Sequence, residues 1–338
     1  DKTDTSVDTI TTLTSTAGKV TFDAPIHNAL STAPQSLTIN AADDVTFSGE
    51  VGEATSALGD VVVNTPAVTT FAKSVDAASL KTDVSGVVVA TAGNKVVIQG
   101  GSITTSGDQH FAELVVLDKT DTSVDTITTL TSTAGKVTFD APIHNALSTA
   151  PQSLTVNAAD DVTFSGEVGE ATSALGDVVV NTPAVTTFAK SVDAASLKTD
   201  VSGVVVATAG NKVVIQGGSI TTSGDQHFAE LVVLDNVHQS TVFTTSNSNV
   251  IFDAAIVNAN SNLPQNLTIN AGTGDVTFTG MVGEDDVVNT PASGNTPAVV
   301  KNGALGNLII NSQGETKFVS TVDAASLKTD VDTVNIDV

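Results

Sequence analysis

An internal duplication constrains this chain more than any other feature. Residues 118–234 repeat residues 1–117 with one substitution, Ile39 becoming Val156, so that 116 of 117 positions are identical. A second copy of one pocket would add little to an enzyme, whereas each further copy adds length to a stalk or filament. The duplication therefore predicts an array of architectural units.

A third, divergent copy follows the two near-identical ones. Asn266–Asn270 matches Ser36–Asn40, and Val322–Val331 matches Val75–Val84. Extra sequence at about 285–304 carries two Asn-Thr-Pro turns around a Gly, which predicts a surface loop insertion. The chain is thus divided into three repeat units: 1–117, 118–234 and 235–338. Because Asp1-Lys2-Thr3 recurs at the start of the second copy, the chain is expected to be a segment of a longer array.

A shorter period within each unit predicts the fold. Val-Thr-Phe or Thr-Thr-Phe triplets end at Phe22, Phe47 and Phe71, which are 25 and 24 residues apart, and an aliphatic residue follows each Phe four positions later. With 12 Phe but no Trp or Tyr, packing falls mainly to Val, Ile, Leu, Ala and Thr, a mix that favours strands. A period near 24 residues is typical of a β-solenoid, in which like side chains of successive coils stack. We predict an all-β, right-handed parallel β-solenoid rod with coils of about 24 residues and the three Phe side chains superposed.

A string of β-sandwich modules is the alternative architecture. Immunoglobulin-like domains run near 100 residues and also use short strands, so their tandem arrays have a similar spacing. A sandwich, however, has no reason to repeat internally every 24 or 25 residues, and the chain has no Trp or Tyr for the buried Trp or tyrosine corner. The solenoid is therefore favoured.

Two features fit the short period poorly. Phe111 lies 40 residues beyond Phe71, which predicts a longer or irregular coil between them. Two residues after these Phe side chains stand Ala24, Lys73 and Glu113, and a sealed interior would not accept both a Lys and a Glu. A bulge or corner is therefore expected to turn this position outward.

Charge and composition exclude several classes of partner. The chain has 37 acidic residues against 13 basic residues, all of them Lys, and a net charge of −24. Because nucleic acid and anionic membrane surfaces need clustered basic side chains, neither is an expected partner. No apolar run approaches the roughly 20 residues of a membrane span, so membrane insertion is not expected. The absence of Cys excludes disulfides and thiolate chemistry.

Four stretches of the first copy carry a resemblance to a known family. They are Asp44–Gly52, Leu58–Asn64, Thr70–Leu80 and Gly101–Phe111. In these stretches the chain resembles the β-strand repeats of giant bacterial surface adhesins of the filamentous-haemagglutinin type. The resemblance implies an exported, elongated adhesive or matrix protein at the cell surface, but it names no receptor and carries over no binding residue. Because the chain has no Arg, it has no Arg-Gly-Asp motif, and integrin-type attachment is not expected.

Carboxylates are the first candidates for site chemistry. Asp43-Asp44, copied as Asp160-Asp161, is the clearest adjacent pair, but before a strand it is interpreted as a solvated corner. Polysaccharide lyases on solenoid folds resemble one another in pairing a calcium-holding carboxylate cluster with a basic residue, so the lack of Arg argues against them. Asp1, Asp4 and Asp8 and their copies Asp118, Asp121 and Asp125 could offer oxygen ligands to calcium. Their spacing matches no known calcium loop and is interpreted as an acidic turn.

Histidines and glycines give no stronger signal. His27 and its copy His144, and His110 and its copy His227, lack a second His or Cys at ligand spacing and are predicted to be exposed at corners. No Gly-x-Ser-x-Gly elbow or phosphate-binding Gly-rich loop is present, and Gly100-Gly101 is interpreted as a tight corner. We therefore predict no catalytic residue, no cofactor and no metal site, with calcium as the one candidate ion.

Three functions are compatible with these features. The first is a non-catalytic structural segment of an extracellular bacterial adhesin, stalk or filament, with acidic outer faces that keep neighbouring arrays apart. Its partners would be adjacent repeats, through end-to-end or lateral self-association at open strand edges. The second is a glycan-binding adhesin module that uses irregular corners such as 285–304. The third is a polysaccharide-degrading solenoid enzyme.

Overall fold

The computed structural model describes most of the chain as β-strands, corners and turns. The described residues are 10–29, 32–83, 93–119, 127–200, 210–260, 263–283 and 304–330. They contain no helix. The chain divides into two compact units, Asp1–Asp177 and Val178–Val338, so the boundary lies inside the second sequence copy.

Sixteen strands lie entirely in unit 1. They are β1 (Ile10–Ser15), β2 (Val20–Phe22), β3 (Ser36–Ala41), β4 (Val45–Phe47), β5 (Leu58–Asn64), β6 (Val68–Phe71), β7 (Val75–Thr82), β8 (Lys95–Ile98), β9 (Ser102–Thr105), β10 (Gln109–Phe111), β11 (Leu114–Leu117), β12 (Ile127–Ser132), β13 (Val137–Phe139), β14 (Ile143–Asn145), β15 (Ser153–Ala158) and β16 (Val162–Phe164). The next strand, β17 (Leu175–Asn181), contains the boundary between the units.

Fourteen strands lie in unit 2. They are β18 (Val185–Phe188), β19 (Val192–Thr199), β20 (Lys212–Ile215), β21 (Ser219–Thr222), β22 (Gln226–Phe228), β23 (Leu231–Leu234), β24 (Ser240–Thr245), β25 (Val250–Phe252), β26 (Ile256–Asn258), β27 (Asn266–Gly272), β28 (Val276–Phe278), β29 (Leu305–Ser312), β30 (Thr316–Phe318) and β31 (Ala324–Thr329).

Each unit is a parallel β-solenoid, as the sequence predicts. The strands stack in parallel through backbone hydrogen bonds, and the two units together contain about nine turns. The coils average about 26 residues, slightly longer than the 24 expected from the Phe spacing. Because a β-sandwich is built from antiparallel strands, the immunoglobulin-like alternative is wrong.

Three columns of stacked strands form the walls of unit 1, and each column has a row of core-facing residues. Column 1 contains Leu13, Ile39, Val63, Thr82, Phe111, Phe139 and Phe164. Column 2 contains Phe22, Phe47, Phe71, Ile98, Leu117 and Asn145. Column 3 contains Ile26, Val51, Val75, Ile103, Leu130 and Val156. Each coil therefore contributes one strand or bridge residue to each column.

The predicted Phe ladder is present in column 2. The ring centroids of Phe22 and Phe47 lie 5.2 Å apart and those of Phe47 and Phe71 lie 5.1 Å apart, with interplanar angles of 3° in both pairs. This spacing slightly exceeds the distance of about 4.8 Å between neighbouring strands, so the backbone ladder itself brings the rings into stacked contact. Phe47 and Phe71 are fully buried, whereas Phe22, at the first described coil, is half-buried.

Phe111 belongs to a different column from the first three Phe residues. Ile98 follows Phe71 in column 2, and Phe111 stacks instead in column 1, 5.2 Å from Phe139. The gap of 40 residues is therefore not one long coil. It reflects a ladder that ends in one column and another that begins in a second column.

The second sequence copy is displaced by one column relative to the first. Phe22 lies in column 2, but its copy Phe139 lies in column 1. Likewise Leu13 lies in column 1, whereas its copy Leu130 lies in column 3. The reason is that 117 residues end one strand short of completing a fifth coil. Identical sequences are consequently rotated by one third of a turn about the solenoid axis.

Unit 2 repeats this displacement between the second and third copies. Phe188 and Phe318 occupy equivalent sequence positions, yet Phe188 stacks on Ile215 in one column and Phe318 stacks on Phe278 in another. The column of unit 2 that contains Phe318 holds a Phe ladder through Phe228, Phe252, Phe278 and Phe318, with neighbouring ring centroids 5.1 to 5.3 Å apart. In columns 1 and 2 of unit 1, likewise, aliphatic and aromatic residues occur in the same stack.

Polar ladders and glycine corners complete the stacking. Asn64 Nδ2 donates to Asn40 Oδ1 at 2.9 Å, and Asn311 Nδ2 donates to Asn270 Oδ1 at 2.8 Å, each pair spanning two coils. At the corner after Ile98, a Cβ on Gly100 would lie 2.3 Å from the carbonyl oxygen of Lys73. Any larger residue would push the coils apart, which confirms the interpretation of Gly100 as a tight corner.

The Phe ladder leads to a test of coil stability. Phe47→Ala should lower the free energy of unfolding by about 3–5 kcal/mol, because it leaves a cavity between Phe22 and Phe71. The matched control is Phe22→Ala, which removes a half-buried ring with one stacking partner and should cost clearly less. Urea unfolding followed by circular dichroism measures both variants. Equal losses would contradict the superposed arrangement.

Candidate functional site

The paired aspartates are corner residues, as the sequence suggests. Asp44 Oδ2 accepts a 2.6 Å ion pair from Lys19 Nζ, and Asp44 Oδ1 accepts the backbone amide of Val68 at 3.2 Å. Hydrogen bonding to Lys19 holds the pKa of Asp44 below its ordinary value. Asp43 Oδ1 accepts the amide of Asp44 itself at 2.9 Å. These carboxylates are committed to closing the corner between successive coils.

The histidines are on the outside of the strands or at corners. His27 is exposed, and His110 is partly exposed with its Nε2 2.7 Å from Asp140 Oδ2. His227 repeats this contact with Asp253 at the same distance. His110, His144 and His227 depart from the prediction, because they are half-buried and lie in strands β10, β14 and β22. The Nε2 of His144 is also buried without a hydrogen-bond partner among the described residues.

Two regions considered for binding lie largely outside the described residues. Of the aspartates weighed for calcium, Asp118 is described and its Oδ2 accepts Gln99 Nε2 at 3.2 Å; Asp1, Asp4, Asp8, Asp121 and Asp125 are outside. In the predicted loop at 285–304, only Ala304 is described, and its carbonyl accepts Asn258 Nδ2.

A shallow groove of about 290 Å³ lies at corners of unit 1. Pro34, Leu58, Asp76 and Thr104 are among the residues that line it. Burial raises the pKa of Asp76, and the charges of Glu50 and Glu53 raise it further. No aromatic side chain lines the groove, and small-molecule sites usually rely on such side chains for contact area.

The most unusual chemistry lies around Glu113, which the sequence predicts to face outward. Lys73 and Ala24 are exposed, as predicted, but Glu113 is only 5% exposed. The prediction for Glu113 was wrong because its carboxylate has partners inside the corner: Glu113 Oε2 accepts the Thr82 hydroxyl at 2.9 Å. Its carboxyl group also contacts that of Asp83, which is 8% exposed.

Three consecutive coils build this first acidic cluster, Asp83–Asn94–Glu113. Asp83 directly follows β7 and lies in the left-handed region, with φ of 51°, and its amide donates to the carbonyl of Val63 at 2.8 Å. Its Oδ1 accepts the amide of Thr65, which follows β5 one coil earlier, at 2.7 Å. Glu113 follows β10, which pairs with β7 one coil later. Asn94 lies directly before β8, and its side-chain amide hydrogen-bonds Asp83.

The second copy forms the same arrangement within unit 2. Asp200 Oδ1 accepts the amide of Thr182 at 2.7 Å, and Glu230 Oε2 accepts the Thr199 hydroxyl at 3.0 Å. The side-chain amide of Asn211 hydrogen-bonds Asp200. The second acidic cluster is therefore Asp200–Asn211–Glu230.

Burial of these carboxyl groups changes their pKa values. Desolvation, followed by the charge of Asp83, raises the pKa of Glu113 to about 8, and the same two causes, with Asp200, raise the pKa of Glu230 to about 8. Desolvation also raises the pKa values of Asp83 and Asp200, although hydrogen bonds from Thr65 and Thr182 oppose the change. Both glutamic acids therefore hold a proton near neutral pH.

The sequence contained one signal for these clusters. After most core Phe residues the second position is Ala, Gly or Lys, and Glu occurs there only after Phe111 and Phe228. The partner Asp83 is 30 residues away and meets Glu113 only because β10 pairs with β7, so sequence spacing alone could not pair them.

Comparisons with known proteins leave the family open. No protein-family model, no curated protein and no solved structure matches this chain. In the described part of the chain, no helix is both long and apolar enough to span a membrane. Among the same residues, no group of three His, Cys, Asp or Glu side chains is arranged to hold a metal ion.

The raised pKa values predict how stability depends on pH. In the unfolded chain Glu113 and Glu230 should have pKa values near the ordinary 4.5, and in the folded chain near 8. The folded state binds their protons more tightly, so this stability is fully present below about pH 4.5 and is lost as the pH rises through about 8. With EDTA present, the Tm should fall by several degrees from pH 5 to pH 8.5.

The double variant Glu113→Gln/Glu230→Gln provides the control for this prediction. Other carboxylates also titrate, and the net charge changes with pH, so the wild-type slope alone is not decisive. The variant should have a distinctly flatter Tm profile between pH 5 and 8.5. Parallel profiles for wild type and variant would contradict the pKa assignment.

Proposed function

We propose that this chain is a non-catalytic structural segment of an extracellular bacterial adhesin, stalk or filament. The observation that carries the proposal is the use of side chains in the solenoid. The core Phe, the corner Asp44 and the Asn ladder residues all contact the next coil rather than converge on a cleft. A chain whose core and corner side chains mainly hold successive coils together is suited to providing length and mechanical continuity.

The near-identity of two copies supports the same role. Each coil contacts only the coils next to it, so an added copy can stack on the existing coils without any change in the core residues. The sequence Ile-Thr-Thr-Leu-Thr-Ser illustrates this: in β1 it is largely exposed, and Leu13 is 36% exposed, whereas in β12 Leu130 is fully buried. Leu130 is buried because Ile103 and Val156 stack on its two sides. Adjacent repeats of the same array are therefore the proposed partners.

The cell-surface setting rests on the resemblance to filamentous-haemagglutinin-type repeats and on composition. A net charge of −24 favours solubility and repulsion between neighbouring arrays, which suits a crowded surface. The absence of Cys is compatible with export through an oxidising compartment. Glycan binding and polysaccharide cleavage are the competing functions, and no side-chain arrangement described above favours either.

Inserting a third identical copy tests the structural role. The full chain would carry another copy of residues 1–117 placed after residue 117, which recreates the existing junction. The maximum dimension from small-angle X-ray scattering should increase by roughly 22 Å, from a strand spacing of about 4.8 Å per coil. The control is a flexible Gly/Ser insertion of the same length, which should add no strand signal in circular dichroism. An extra copy that adds no ordered length would contradict the proposal.

A binding and activity screen separates the alternatives. A structural segment should bind nothing on a glycan array and release no reducing ends from a broad panel of polysaccharides. Specific glycan binding that a deletion of residues 285–303 abolishes would favour the adhesin module instead. Release of sugar ends would favour the enzyme.

A further inference from the structure

The two acidic clusters contain buried oxygen atoms that the fold leaves without partners. In the first cluster these atoms are Asp83 Oδ2, Asn94 Oδ1 and Glu113 Oε1. None of these three atoms accepts a hydrogen bond from an N–H or hydroxyl group of the described residues, although the carboxyl groups of Asp83 and Glu113 contact each other; the three side chains are 8%, 9% and 5% exposed. A buried polar atom without a partner costs free energy, so its repetition at one place calls for a ligand.

The remaining oxygen of each carboxylate is fixed by the backbone or by a hydroxyl group. The Thr65 amide holds Asp83 Oδ1, and the Thr82 hydroxyl holds Glu113 Oε2. Each carboxylate is thereby oriented, with one oxygen held and one oxygen free to coordinate. In the structure the Asn94 amide nitrogen faces Asp83; rotation of the amide about its Cβ–Cγ bond would turn Oδ1 toward the two carboxylates when a cation binds.

The charge of the cluster also calls for a cation. Asp83 and Glu113 bring two carboxyl groups into contact, and among the described residues no Lys is a cause of the pKa shift of either group. Two buried carboxylates repel each other unless a proton or a metal ion lies between them. Carboxylate and amide oxygens are the ligands that Ca²⁺ prefers, and its coordination geometry tolerates irregular sites.

We propose that Asp83–Asn94–Glu113 and Asp200–Asn211–Glu230 are two calcium sites, each of which ties successive coils of the solenoid together. Asp200 Oδ2, Asn211 Oδ1 and Glu230 Oε1 are unpartnered in the second cluster as well. Each ion bridges the corner after one coil to the corner after the next. These sites are distinct from the acidic turns at Asp1 and Asp118. The inference is independent of whether the chain belongs to an adhesin.

Isothermal titration calorimetry on the full chain tests the proposal. After dialysis against EDTA and removal of the chelator, Ca²⁺ should bind at two sites per chain. Glu113→Gln or Glu230→Gln alone should leave one site, and the double variant should leave none. Gln can still accept from Thr82 or Thr199 and can donate to the neighbouring Asp, so these variants should fold. Asp23→Asn, a change to an exposed carboxylate, should leave both sites intact.

Thermal unfolding provides the second measurement. One millimolar CaCl₂ should raise the Tm of wild type by several degrees beyond NaCl at equal ionic strength, and it should not do so for the double variant. If a Gln variant fails to fold, Asp83→Asn and Asp200→Asn take its place. Wild type that binds no Ca²⁺, or variants that retain both sites, would overturn the proposal. In that case a shared proton alone neutralises each pair.

Discussion

Parallel backbone pairing between successive coils is the interaction on which the structure depends. It sets a strand spacing of about 4.8 Å, and this spacing superposes like side chains. The Phe rings of column 2, the Asn64–Asn40 pair and the Gly100 corner all follow from that one distance. Buried groups gain contacts from the coils on both sides, so stability is distributed along each unit rather than concentrated in one centre.

The sequence repeat is not a whole number of coils, and this difference shows what the three columns have in common. Because the second copy is displaced by one column, Phe139 performs in column 1 the packing role that Phe22 performs in column 2. Because the core accepts the same sequence on different walls, the three walls must offer similar space to side chains of similar size and polarity. The constraint on each strand is therefore its pairing with the coils on either side, not the wall on which it lies.

Sequence reasoning identified the elements that depend on local pattern. The Phe22–Phe47–Phe71 ladder and the corner at Gly100 follow from alternation, spacing and turn chemistry. It could not assign Phe111, because a change of column depends on how many strands lie between two Phe residues. The outward prediction for Glu113 is wrong for a related reason. Its carboxyl group is buried against that of Asp83, which lies one coil away, and sequence spacing does not reveal this contact.

Cysteine cross-linking tests the stacking register and the rotation of the copies most directly. The chain has no Cys, so an introduced pair reports only its own contact. Thr138 pairs with His110 in column 1, whereas a copy without rotation would place it beside Val116 in column 2. The pair Thr138→Cys/His110→Cys should form a disulfide, or a pyrene excimer after labelling, and Thr138→Cys/Val116→Cys should form neither. The reverse result would contradict the rotated solenoid, and failure of both pairs would contradict parallel stacking at this position.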